Sequence, residues 1–207
     1  MPKSWWIVAA TVLWLLLWPT PAAAEVISID GLALTIEPIA GYCALDKAND
    51  NERRLYGSTE SAVNAQYQLL AYWVDCVVLK DSRAGGSKPL IPYILVLATK
   101  KHEWVYTTTL SRQDLVDRTF VELAGTPNAT SVLEKDADGL YFGQMRQVTS
   151  DQKQAVLAGV TGMTKIKRFV LSAVAYDLYA DEQTFLTLKD RAATAVRSLI
   201  AANRANE

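Results

Sequence analysis

Histidine is almost missing from this chain: His102 is the only one in 207 residues. Cysteine occurs twice, at Cys43 and Cys76. A Ser-His-Asp or Cys-His site would therefore have to use His102. Its neighbours Lys100, Lys101 and Glu103 give it the look of an exposed strand connection. No serine sits in a G-x-S-x-G setting. Two distant cysteines and one histidine are too few for a zinc site, and they are not the C-x-x-C of a redox pair. Neither G-x-x-x-x-G-K-[ST] nor G-x-G-x-x-G occurs, so no nucleotide cradle is present. Charge of one sign is also lacking, with 21 Lys and Arg against 22 Asp and Glu. That balance offers no basic field for nucleic acid. These absences leave no catalytic residue, cofactor-binding residue or metal ligand that a motif would nominate.

What is present begins at the N-terminus. Met1-Pro2-Lys3-Ser4 precedes an apolar run from Trp5 to Trp18, then Pro19-Thr20-Pro21-Ala22-Ala23-Ala24. A positive start, a short apolar core and an A-x-A ending are the parts of a secretory signal peptide. The run is shorter than the roughly 20 residues of a transmembrane helix. We expect residues 1–24 to be a signal peptide and 25–207 one globular domain, periplasmic or secreted. Retention of the segment as an anchor is the alternative. No later apolar run is long enough to span a bilayer, so no integral span is expected after cleavage.

Export changes the meaning of the cysteines, because thiols oxidise outside the cytoplasm. Two cysteines allow one pairing, Cys43 with Cys76. In the chain-entropy model a loop of this length makes the bond worth about 3.8 kcal/mol.

Taken in order, Val26–Ile29 and Leu32–Ile36 flank Asp30-Gly31, a strong hairpin signal. Gly41–Leu45 reads as a third strand. Asp50 and Asn51 are good caps for a helix expected to run to Ala71 or Trp73, on the spacing of Leu55, Ala62, Val63, Tyr67, Leu70 and Trp73. Trp73–Leu79 would then be strand and Asp81–Pro89 loop. Pro92–Thr99 reads as a buried strand and Trp104–Thr109 as its partner. Ser111 with Asp114 reads as a capping box opening a helix to about Leu123. Asn128-Ala129-Thr130 fits a glycosylation acceptor in a loop. Leu140–Val148, Gln154–Met163 and Ile166–Tyr179 read as three successive strands, the last apolar on both faces and hence central. Asp181 caps a final helix with the stripe Phe185, Leu188, Ala192, Val196, Leu199 and Ile200. The tail from Ala202 should fray. This order predicts an α+β fold, an antiparallel-rich sheet with helices packed on it.

In element order the chain resembles the α/β/α sandwich of PsbP and Mog1 proteins. Locally, Gly41-Tyr42-Cys43-Ala44-Leu45-Asp46 followed by Asp75-Cys76 resembles uncharacterised exported bacterial proteins. Neither resemblance transfers a functional residue.

The candidate functional residues are Asp46, Asp75 and Arg83. Asp46 and Asp75 each lie close to a cysteine, so the disulfide could bring two carboxylates together for acid–base work. The structural alternative has Asp46 capping a turn and Asp75 bonded to backbone or to Arg83. Arg83-Ala84-Gly85-Gly86 could offer a cation and backbone N–H groups to an anion. Lys165, Lys167 and Arg168 form the densest basic cluster, either a solvated strand end or a contact for anionic lipid or an acidic partner. Tyr72, Trp73 and Trp104 could line a ligand pocket, although such residues more often fill a core. The expectation is a non-enzymatic binding or accessory module of the cell envelope, without a cofactor, whose partner is an envelope protein or small ligand. A carboxylate-based envelope hydrolase is the alternative.

Overall fold

The computed structural model describes residues 24–100, 109–125, 133–150 and 153–204. Residues 1–23 of the expected signal peptide, His102, Trp104 and the Asn128-Ala129-Thr130 acceptor lie outside the described residues.

The chain opens with a hairpin of β1 (Glu25–Ile29) and β2 (Leu32–Ile36). Asp30 and Gly31 turn it with φ of 48° and 78°, the paired positive values a type I′ turn requires. The main sheet holds β3 (Tyr42–Ala44), β4 (Tyr67–Asp75), β5 (Tyr93–Thr99), β6 (Leu133–Lys135), β7 (Leu140–Ser150), β8 (Lys153–Ile166) and β9 (Phe169–Leu178). Their spatial order is β3-β4-β5-β9-β8-β7-β6, antiparallel throughout. Four helices complete the described chain: α1 (Asp50–Val63), α2 (Cys76–Arg83), α3 (Arg112–Ala124) and α4 (Glu182–Asn203). The fold is α+β, as the element order predicts.

The sheet is covered on both faces. On one face, α4 and the β1–β2 hairpin bury Phe169, Leu171, Ala173 and Ala175 of β9 with Ile94 and Val96 of β5. All six residues of the predicted α4 stripe are buried. Gly162 of β8 lets the helix come close, since a Cβ there would lie 2.9 Å from a Val196 methyl. On the other face, α1 and α2 cover β3 and β4, while α3 covers β6 to β8. β9 is the fourth of seven strands and is buried over most of its length, as a two-faced apolar run requires.

Several boundaries differ from the sequence expectation. The first helix stops at Val63 and β4 begins at Tyr67, so Leu70 and Trp73 are strand residues. Leu69 to Val74 are buried on both faces of the sheet, and such a run has no period of two to betray it. After Asp75 the chain is helical rather than extended. The Asp75 carboxylate accepts from Val77 N and Val78 N at 2.9 and 3.1 Å and so starts α2, which takes in the first part of the expected Asp81–Pro89 loop. The expected strand Ile166–Tyr179 is divided by a turn at Lys167, whose φ is 54°, leaving Ile166 at the end of β8.

The tail is also ordered further than expected. Asn203 is buried: its amide donates to Thr35 O and Leu199 O and accepts from Thr35 N. These bonds fasten the end of α4 to β2. The Ser111–Asp114 capping box forms as predicted.

Candidate functional site

Cys43 and Cys76 form a disulfide with a Cα separation of 5.0 Å. It joins β3 to the first residue of α2, and the Cys76 N–H donates to Gly41 O alongside it.

The two nominated carboxylates flank this bond without pairing. Asp46 Oδ1 accepts from Ala48 N at 2.8 Å, closing an Asx turn before α1. Asp75 Oδ1 is taken up by the cap of α2. Among the described residues no hydrogen bond joins Asp46 to Asp75. Arg83 is hydrogen-bonded to neither. Its guanidinium is bidentate to Glu52, with Nε–Oε1 2.7 Å and Nη2–Oε2 2.8 Å. Glu52 also accepts from Asp46 N. Sequence reading missed Glu52, which is 4% exposed although it lies in the first turn of α1. Hydrogen bonds from Arg83 hold its carboxyl below the usual range, against the opposing effect of burial. This cluster joins the start of α1, the end of α2 and the Asp46 turn.

The basic cluster is likewise spent on the fold. Lys167 Nζ donates to Ala33 O and Arg168 Nη2 to Asp30 O, each at 2.7 Å, while Lys165 Nζ bonds Leu110 O. These cations clasp the β1–β2 hairpin and the lead-in to α3.

A different site emerges on the face that α1, α2 and α3 share. Register places Tyr93 of β5 opposite Tyr176 of β9, and Tyr176 opposite Gly159 of β8. The Tyr93 and Tyr176 rings stack with centroids 4.9 Å apart, and Tyr72 of β4 backs Tyr93 at 5.1 Å. Gly159 gives the Tyr176 ring its place, because a Cβ there would lie 2.6 Å from the ring. Gln144 of β7 stands opposite Gly159, on the far side of it from Tyr176. The next row of the same face holds Arg146, Leu157 and Leu178.

Tyr93, Tyr176, Leu157 and Arg146 of these line a cleft of about 360 Å³, within the range of small-molecule sites, roughly 300–1,000 Å³. Its wall is the last two turns of α1, through Ser58, Thr59, Ala62 and Val63. Its floor is Tyr93, Leu95, Leu157 and Tyr176, with Arg146 beside them. Arg146 is exposed and has no ion pair among the described residues. Burial pushes the phenols of Tyr72, Tyr93 and Tyr176 up, and the charge of Arg146 partly offsets this at Tyr93 and Tyr176. Phenols held neutral in this way are hydrogen-bonding and stacking groups rather than bases. Leu178, 44% exposed, continues the apolar surface from Leu157.

Of the aromatics nominated from sequence, Tyr72 lies in this stack, whereas Trp73 is buried on the opposite face and Trp104 is outside the described residues. The period of two that puts Tyr176 on one side of β9 was readable. Its meeting with Tyr93 and Arg146 depends on strand order and register.

A second cavity of about 250 Å³ lies between α4 and β6–β7. Its two cations are already matched: Lys189 with Glu134 at 2.7 Å, and Arg197 with Asp136 and Asp138 at 3.2 and 3.3 Å. A ligand there would have to break those pairs. Among the described residues no cluster of three or more His, Cys, Asp and Glu is placed to hold a metal ion, and no helix is long and apolar enough to cross a membrane.

No protein-family model matches this chain, and no curated protein matches its sequence.

Proposed function

We propose that the protein is an exported, non-enzymatic binding module of the cell envelope, periplasmic or secreted, and that the cleft between α1 and the Tyr93–Tyr176 stack is its ligand site. The carrying observation is the cleft itself, in which apolar and aromatic surface converges beside Arg146, a cation with no ion pair among the described residues. The disulfide and the N-terminal sequence support the location, since such bonds persist in oxidising compartments. The alternative, a hydrolase using Asp46 and Asp75, draws no support from geometry in which each carboxylate is engaged in a backbone cap and neither lines the cleft.

The test is native mass spectrometry of protein recovered from the periplasm. The expected polypeptide begins at Glu25 and carries a small non-covalent ligand. Ala62→Trp, which fills the cleft from the exposed wall of α1, should lose that ligand without losing the fold. A ligand retained by Ala62→Trp, or none on either protein, counts against the reading.

A further inference from the structure

Building on the cleft as a ligand site, we infer its ligand class: a flat apolar ring system carrying a single anionic group, with the ring on Tyr93, Tyr176 and Leu157 and the anion at Arg146.

The floor selects for rings. Tyr93 and Tyr176 are stacked on each other and held from behind by Tyr72, so their orientation is set before a ligand arrives. Gly159 places Tyr176 further, by leaving room where a Cβ would lie 2.6 Å from the ring. A rigid aromatic surface adds dispersion and stacking at little cost in side-chain freedom. Leu95 and Leu157 extend it as apolar surface.

The charge at the rim selects for anions. Tyrosine faces by themselves also attract cations, but Arg146 lies beside these rings and opposes a second positive charge. Arg146 and Leu157 are cross-strand neighbours, so the guanidinium is set at the edge of the apolar floor. Three other arginines are held by carboxylates: Arg83 by Glu52, Arg191 by Asp177, and Arg197 by Asp136 and Asp138. Arg146 has no carboxylate partner among the described residues, and a guanidinium fork matches a carboxylate or sulfonate in two parallel hydrogen bonds. The Ser58 and Thr59 hydroxyls on the facing wall can serve a further polar substituent.

Calorimetric titration of the exported domain with naphthoate, naphthylmethanol, naphthylmethylamine and acetate separates the contributions of ring and charge. Naphthoate should bind at least about tenfold tighter than the alcohol, equivalent to about 1.4 kcal/mol. The amine and acetate should bind more weakly still. Arg146→Gln should remove the preference for the acid and leave the alcohol unchanged, and Ala62→Trp should weaken all ring compounds. Equal binding of acid, alcohol and amine would overturn the assignment of an anion while leaving the cleft a ring site. Tightest binding of the amine would overturn it as well. Ring binding that Ala62→Trp leaves intact would move the site elsewhere and overturn the inference. Failure of every ring compound to bind would overturn both the ligand class and the cleft as a ligand site.

Discussion

At the scale of single residues, Glu52 is the one charged side chain that is buried among the described residues. A buried carboxylate is tolerated when it is paired and hydrogen-bonded, and Glu52 receives two bonds from Arg83 and one from Asp46 N. Glu52→Ala should destabilise the protein by about 1–3 kcal/mol at neutral pH, the cost of deleting a charge-assisted buried partner. The pH dependence follows from the sign of the shift. The folded pKa is lowered, so the stabilisation is present above the unfolded value of about 4.3 and fades as pH falls through the folded value. Denaturant midpoints of the two proteins should therefore converge in acid. A constant difference down to strongly acidic pH would show that Glu52 acts through packing instead.

At the scale of elements, the disulfide organises one corner of the sheet. β3 has three residues, too few to hold its place by ladder bonds alone, and Cys43 is its middle residue. The bond to Cys76 fastens it to α2, whose own start is fixed by Asp75. The double change Cys43→Ala/Cys76→Ala should cost about 2–4 kcal/mol in chemical denaturation. The sheet has six other strands and should survive the loss. Thiol labelling of unfolded, unreduced protein should find no free thiol; two per chain would defeat the assignment. The first helix teaches a different lesson. Its expected extension to Ala71 or Trp73 rested on a helical spacing that β4 satisfies by accident, because every position from Leu69 to Val74 is buried. An apolar run of that length fits a strand covered on both faces, so length rather than period carries the information.

At the scale of the molecule, tyrosine ionisation reports the integrity of the sheet. Burial raises the phenols of Tyr72, Tyr93 and Tyr176 on one face and of Tyr42 and Tyr141 on the other, and it pushes Tyr56 on α1 up to about 12. A raised pKa contributes stability that is full below the unfolded value of about 10 and lost as pH rises through the folded value. Alkaline titration by ultraviolet absorbance should therefore show a late, steep phase coincident with loss of circular dichroism. The urea-unfolded chain should titrate smoothly near pH 10. Full ionisation near that pH in a chain that keeps its fold would contradict the burial of these rings.

What the sequence by itself determined is local. Asp30-Gly31 specified its turn, Ser111 and Asp114 their capping box, and the spacing from Phe185 to Ile200 the buried face of α4, because each signal is complete within one element. Two cysteines left one pairing, and the alternation of strands with a few helices was enough for the α+β class. Only the tertiary structure decided contacts between distant positions. Arg83 reaches Glu52 across 31 residues and Asn203 reaches Thr35 across 168, and no local pattern encodes either meeting. The cleft depends on them all the more. Tyr93, Arg146, Leu157 and Tyr176 come from four strands, and a slip of one residue in any register would turn its contribution to the opposite face.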